Sequence, residues 1–263
     1  MTARSPEPAP LGDVRAIYFD LDDTLCAYWD ACKIGLRRAF EAHRPAGVGV
    51  EQMLSLWARA FRKFGPALKD SAWYPVYLKS GGPTRAEQMR LALAEGGIED
   101  AALAERLGEA YGQARDEALA LFDGVRGVLE RLRKHYPLGV ITNGPADVQR
   151  QELATLGIEE FFDHVFIEGE MGEGKPVPAV FERAREAVGC EPHQILFVGN
   201  SYGHDVRPAL EAGWHAVWVR RASDVPPSAD GDSPRPEEKP VDAPHPDAVI
   251  GDLRELLPLL GLR

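Results

Sequence analysis

Six short runs rich in Val, Ile or Phe, each bounded by Gly, Asp, Asn or Pro, set the tightest limit on how this chain can fold. They are Ala16–Asp20, Leu138–Asn143, His164–Ile167, Ile195–Gly199, Ala216–Val219 and Ala248–Ile250. Runs this short and this apolar suit strands of a parallel sheet that is covered on both faces. Helical patterns separate the later ones, at Gly124–His135, Asp147–Leu156, Val177–Val188 and Val206–Ala212. Strand and helix alternating at this spacing predict βαβ units and an α/β fold.

One interval breaks the rhythm. Between Leu25 and about Phe122 no run reads as a strand, while helical patterns recur at Trp29–Ala42, Gln52–Phe64, Arg85–Glu95 and Ala101–Ala118. Pro83-Thr84-Arg85-Ala86-Glu87 has the form of a capping box, with Thr84 as N-cap and Glu87 three residues on. A crossover between parallel strands needs about a dozen residues or more, and this insertion runs to roughly a hundred. The expectation is a separate helical unit over residues 27–122, sitting above the strand ends of a core formed by 11–26 and 123–263. Within that core, residues 224–247 hold seven prolines, several acids and almost no large apolar side chain, which predicts a solvated loop whose role is left open. Residues 1–10, polar and rich in proline, predict a flexible N-terminus.

The charge balance narrows the partners. A net charge of −11 repels nucleic acid and anionic membrane surfaces, so neither is expected to bind. No apolar stretch is long enough to cross a bilayer, and the first residues lack the apolar core of a secretory signal. Cys26, Cys32 and Cys190 are an odd, sparse set without metal-ligand spacing, as expected of reduced thiols in the cytoplasm. The oligomeric state is left open.

Chemistry gathers where the strands end. The first run stops in Asp20-Leu21-Asp22-Asp23-Thr24, two carboxylates spaced i, i+2 and followed by a hydroxyl. Such a pair repels itself unless a cation or a shared proton relieves it, which suggests a divalent metal, a nucleophile and an acid/base in one place. The second run ends in Thr142-Asn143-Gly144, a hydroxyl and free backbone N–H groups able to hold phosphoryl oxygens. After the third comes a glycine-rich loop ending in Gly174-Lys175-Pro176, and after the fourth comes Gly199-Asn200 with Asp205 close behind. Asn200 and Asp205 offer the oxygen ligands a hard cation prefers. Plainer readings exist, since Thr142 could cap a helix, Lys175 could be a solvated charge and Asp205 an N-cap. Their joint occurrence at successive strand ends favours one site. Gly169-x4-Gly174-Lys175 mimics a nucleotide P-loop, but Pro176 replaces the hydroxyl residue and has no N–H to donate.

In this order and context, Asp20-Leu21-Asp22-Asp23-Thr24, Ile141-Thr142-Asn143-Gly144, Gly174-Lys175-Pro176 and Val198-Gly199-Asn200…Asp205 resemble the four motifs of the haloacid dehalogenase superfamily. A helical insertion between the first two motifs resembles its subfamily I, with a C1-type cap. The resemblance implies a Rossmann-like parallel sheet core with an inserted all-helical cap. It implies a Mg2+-dependent phosphomonoesterase that hydrolyses a small phosphorylated metabolite through an aspartyl-phosphate. Asp20 would be the nucleophile and Asp22 the acid and base, the latter meeting the metal through its backbone carbonyl. Thr142, Asn143 and Gly144 would hold the phosphoryl group, with Lys175 compensating charge. Asp20, Asp22, Asn200 and Asp205 would surround the magnesium.

Asn200 departs from the family pattern, where an aspartate usually follows this glycine; an amide brings no negative charge, so a weaker metal site is expected. Three other activities fit the same resemblance: hydrolytic dehalogenation of a 2-haloacid, phosphoryl transfer as in a mutase, and a silent binding module. The dehalogenating branch generally lacks the second aspartate, because a departing halide needs no proton, so Asp22 favours the phosphatase. Specificity is expected in the cap, where Trp73, Tyr74 and Tyr77 lie among Lys69, Lys79, Arg85 and Arg90.

Overall fold

The computed structural model describes residues 11–229 and 237–262. The expected flexible segment 1–10 and part of the proline-rich loop, 230–236, lie outside the described residues. The strands are β1 (Ala16–Phe19), β2 (Leu138–Thr142), β3 (His164–Ile167), β4 (Ile195–Gly199), β5 (His215–Val219) and β6 (Ala248–Ile250). All pair in parallel in the order β3-β2-β1-β4-β5-β6. The order reverses between β1 and β4, so a crevice opens beyond their carboxyl ends, where such sheets bind ligands.

Alternation along the strands supplies two faces. Ile17, Phe19, Val140, Leu196, Val198, Val217 and Val219 turn to one side, against helix α6 (Val125–Leu132) and the C-terminal turn around Leu253–Leu259. Tyr18, Phe197, Ala216 and Trp218 turn to the other, against α9 (Pro178–Val188) and α10 (Arg207–Glu211). Burial on both sides is why β1, β2 and β4 are almost wholly apolar, with Thr142 the polar exception at the end of β2, whereas edge strand β6 keeps Val249 exposed. Gly139 lies directly opposite Tyr18, whose ring occupies the space a side chain would need: a Cβ there would fall 2.2 Å from the ring. The Tyr18 hydroxyl donates to the Ala184 carbonyl at 2.8 Å and ties the sheet to α9.

The inserted segment is helical throughout: α1 (Tyr28–His43), α2 (Val50–Ala67), α3 (Tyr74–Lys79), α4 (Gly81–Glu95) and α5 (Ala101–Ala118). It has an apolar cluster of its own, with Leu36 and Phe40 meeting Met53 and Trp57, and Met89 and Leu93 meeting Leu107. Two chain passages join it to the sheet and pair with one another. Ala27 N–H donates to the Ala120 carbonyl at 2.9 Å, and Phe122 N–H to the Leu25 carbonyl at 3.0 Å.

Three details depart from expectation. Helix α4 begins at Gly81, so Thr84 is inside it and bonds the Gly81 carbonyl at 3.0 Å instead of acting as N-cap. The cap is supplied from the sheet side: Asp147, near the start of α7 (Ala146–Leu156), accepts from the Gly81 N–H at 3.0 Å and from the Ser80 hydroxyl at 2.7 Å. Pro83 fits the first turn because its missing N–H has no partner to lose there. Helix α3 had no sequence signal, being six residues long with a proline at its start. The glycine-rich loop opens with a short turn, α8 (Glu168–Met171).

Gly139→Ala is expected to cost about 1–3 kcal/mol by overpacking against Tyr18. Urea unfolding at constant slope should register this as a lower midpoint, and an unchanged midpoint would contradict the packing described.

Candidate active site

The crevice collects residues from four strand ends. Asp20 continues the ladder past β1, its N–H donating to the Val198 carbonyl at 2.9 Å, so its carboxylate leaves a fixed backbone. Asp20 Oδ1 meets Lys175 Nζ at 2.7 Å, and the same ammonium reaches Asp205 Oδ1 at 2.6 Å. All three side chains are nearly inaccessible to water. Burial pushes Asp20 up to about 6 against the pull of Lys175, and burial likewise raises Asp205. Burial alone would lower Lys175, but the two carboxylates outweigh it and the amine is raised, hence charged. The Lys175 backbone is pinned as well: Asn143 accepts from its N–H and donates to its carbonyl, both at 2.8 Å.

Asp22 belongs to a second network. Gln149 Nε2 donates to Asp22 Oδ2 at 3.2 Å and to Glu152 Oε2 at 3.0 Å, while Gln149 Oε1 accepts from the Thr142 hydroxyl at 2.6 Å. Arg115 stands behind: its Nη2 is 2.6 Å from Asp116 and at ion-pair distance, 3.3 Å, from Glu152 Oε1, though without hydrogen-bond geometry there. Burial, then the neighbouring Asp20, pushes Asp22 up to about 6. Burial and Asp22 raise Glu152 well above the usual carboxylate range. A buried carboxyl that holds a proton near neutrality can act as an acid.

A third group faces Asp20 from β4. The Thr24 hydroxyl lies 2.9 Å from Asp20 Oδ2 and 3.2 Å from Asn200 Oδ1, which places both oxygens around one small space. The orientation of the amide is set from behind, because Asn200 Nδ2 donates to Asp224 Oδ2 at 3.0 Å. The Asn200 carbonyl accepts from the Trp218 indole at 2.7 Å. Arg221 holds the turn after β1 through the carbonyls of Asp23 and Thr24, at 2.9 and 3.1 Å.

The structure thus brings Asp20, Lys175 and Asp205 together, and Asp20 with Asn200. Two predicted residues are engaged differently from the simplest expectation. The Thr142 hydroxyl is committed to Gln149, and both Asp205 oxygens are taken, by Lys175 and by the Ser201 N–H at 2.9 Å. Among the described residues no group of three or more His, Cys, Asp or Glu side chains forms a metal-binding cluster. The oxygen set that does converge is one Asp20 carboxylate oxygen and the Asn200 amide oxygen, both hard donors suited to magnesium.

Sequence reasoning missed Gln149, Glu152, Arg115 and Asp224. The first three are buried on the inward stripes of α7 and α5, where a polar side chain among apolar neighbours is the available signal. Asp224 lies in the proline-rich loop, whose role the sequence left open. That loop also supplies Glu237, whose carboxylate accepts from the Tyr202 N–H at 2.8 Å, and Asp247, which accepts from the Ala216 N–H at 2.8 Å.

Above the crevice lies a cavity of about 510 Å³, floored by Asp22, Asn143, Gly144 and Asn200 and roofed by the inserted helices. Tyr77, Lys69 and Arg85 line it, whereas Arg90 is exposed and paired with Glu87. Tyr74 donates to Glu168 at 2.9 Å and Lys69 approaches the same carboxylate at 3.1 Å, so the aromatic cluster partly serves to join helix α3 to the sheet side.

Comparison with known proteins agrees with this geometry. A sequence profile of the haloacid dehalogenase-like hydrolases matches residues 17–219, and the chain belongs to that family. A phosphoserine phosphatase of Thermus thermophilus is 34% identical over 210 residues, covering 80% of this chain and 74% of that protein. The putative hydrolase YfnB from Bacillus subtilis, described as bound to magnesium, superposes with a TM-score of 0.70 at 21% identity, over 95% of this chain and 99% of that one. A 2-haloacid dehalogenase from Pseudomonas syringae gives 0.62 at 28% identity, over 94% and 98%. The protein is therefore a hydrolase of the haloacid dehalogenase-like family, with a parallel-sheet α/β core and a helical insertion. No helix among the described residues is long and apolar enough to cross a membrane.

Asp23, buried beside these carboxylates with φ at 58°, is pushed up to about 9, first by burial and then by Asp22, while the Trp29 N–H it accepts opposes the shift. Unfolded, it would release its proton near 4. Between those values the unfolded chain sheds a proton that the folded chain keeps, so this group loses stability as pH rises from about 4 towards 9. Asn tolerates the same backbone conformation and does not titrate. Asp23→Asn should therefore raise the melting temperature more at pH 8 than at pH 5, measured in EDTA; an equal gain at both would contradict the shift.

Proposed function

We propose that the protein is a magnesium-dependent phosphomonoesterase that hydrolyses a small phosphorylated metabolite through an aspartyl-phosphate on Asp20. The observation that carries this reading is Asp22, a carboxyl facing the cavity and raised to about 6 by burial and by Asp20. A phosphate ester leaves as an alkoxide that must be protonated, whereas a halide leaves without a proton. The phosphatase named among the relatives supports the same choice.

In this reading Asp20 attacks phosphorus, the ester P–O bond breaks, and Asp22 gives its proton to the departing oxygen. Asp22 then takes a proton from water as that water attacks the same phosphorus, which releases inorganic phosphate and restores Asp20. Lys175 keeps Asp20 ionised and offsets the approach of two anions. The Asn143 and Gly144 backbone would receive phosphoryl oxygens, with Thr142 acting alongside them or through Gln149. Asp20, the Asn200 amide oxygen and the Asp22 carbonyl would hold the magnesium, with Asp205 supporting the set through Lys175. When bound, the dication compensates charge between the carboxylate and the phosphoryl group.

Residues 27–122 would act as the cap over a core of 11–26 and 123–263, consistent with the separate apolar cluster of the inserted helices. A roofed cavity of about 510 Å³ suits a small metabolite better than a phosphoprotein. The three free thiols are in keeping with a cytoplasmic location.

Phosphate release from p-nitrophenyl phosphate should vanish in Asp20→Asn and drop by about 10²–10⁴-fold in Asp22→Asn. Chloride release from 2-chloropropionate without any phosphate release would overturn the reading in favour of a dehalogenase. Magnesium titrations followed by calorimetry should show tighter binding in Asn200→Asp and weaker binding in Asp224→Ala, which frees the amide to turn. Equal affinities in all three proteins would refute the metal assignment at Asn200.

A further inference from the structure

Three side chains with a fixed positive charge line the cavity: Lys69, Arg85 and Arg115. Lys69 is matched by Glu168 at 3.1 Å, and Arg115 by Asp116 and Glu152 at 2.6 and 3.3 Å. Arg85 differs. Its Nε is buried without a hydrogen-bond partner, and the guanidinium makes no ion pair with any described residue. Arg85 also borders a second groove, between α4 and α5, that carries Glu105, Glu109, Asp116 and Glu117, yet none of these forms a salt bridge with it. A second buried donor without a partner, the Trp57 indole nitrogen, belongs to a residue lining the same cavity.

The guanidinium is held in place. A Cβ at Gly112 would come within 3.0–3.1 Å of Nε, Cζ and Nη2, and one at Gly81 within 3.0 Å of Nη1. Two missing side chains thus leave the slot in which the cation lies. A buried donor such as this Nε is nearly always satisfied, and a half-buried guanidinium without an ion-pair partner beside the cavity is placed to receive an anion that arrives with the ligand. The planar fork of arginine matches a carboxylate.

We propose that the substrate is a phosphate monoester bearing a carboxylate remote from phosphorus, which Arg85 receives at the roof of the cavity while Asp20 engages the phosphoryl group at its floor. The inference rests on the phosphomonoesterase reading and narrows it. Selectivity then comes from the acid end of the substrate, because a neutral analogue leaves Arg85 unpaired.

Matched esters that differ chiefly in the carboxylate test this: O-phosphoserine against O-phosphoethanolamine, and 3-phosphoglycerate against glycerol 3-phosphate. A charge-assisted contact predicts roughly 10–100-fold higher kcat/KM for the acid of at least one pair. In Arg85→Met that preference should disappear, while the neutral partner stays within about 3-fold of the parent. Arg85→Lys should keep only part of it. A purely structural arginine would lower both members equally, and that result would overturn the proposal. So would parent protein that prefers neither acid, or that prefers fructose 1,6-bisphosphate, a second phosphate in place of the carboxylate. If the variants do not fold, the ranking by the parent decides alone. Absence of phosphate release from every ester would sink the phosphomonoesterase reading and this proposal with it; release without preference for the acids would sink this proposal only.

Discussion

One buried ammonium holds the site together. Lys175 Nζ bridges Asp20 from the end of β1 and Asp205 from the turn after β4, at 2.7 and 2.6 Å. Without it, two carboxylates away from water would repel each other or take up protons, and Asp20 would lose its charge. Stripping one partner from such a buried pair leaves an uncompensated ion, a cost of roughly 3–5 kcal/mol. The same contact ties the loop after β3 to the sheet centre. Asn143 at the end of β2 secures that loop through the Lys175 backbone, so four strand ends depend on one side chain.

The inserted helices are attached by short, specific links around the cavity. The paired passages at Leu25–Ala27 and Ala120–Phe122 form a double strap, which restricts how far the helical unit can turn. Asp147 caps α4 from the sheet side, and Glu168 receives Tyr74 and Lys69. These carboxylates join the roof to the crevice; under the proposed function the helices would decide what fits and the strand ends what reacts.

The sheet was readable from sequence to within a residue or so at each strand end, because strands buried on both faces admit few polar residues and stop where polar groups begin. Asp20 and Asn200 were readable for a related reason, since each directly follows a strand, and Lys175 and Asp205 lie in the segments that lead away from β3 and β4. The Asp22 network was not. Gln149, Glu152 and Arg115 come from the middles of helices and meet Asp22 only once the helices pack, and local patterning carries no record of that meeting. Asp224 was hidden by its proline-rich surroundings, whose composition suggested solvent when several of its acids in fact accept buried backbone or amide protons. The start of α4 was misplaced because its cap comes from Asp147, far away in sequence.

The central claim is that Asp20 carries the phosphoryl group during turnover. Quenching the enzyme in acid while it hydrolyses p-nitrophenyl phosphate, then reducing with borohydride, converts an acyl phosphate to an alcohol that peptide mass spectrometry locates. The account predicts homoserine at position 20, dependent on magnesium and absent from Asp20→Asn. Reduction at another residue, or an unmodified Asp20 in enzyme that is releasing phosphate, would contradict it.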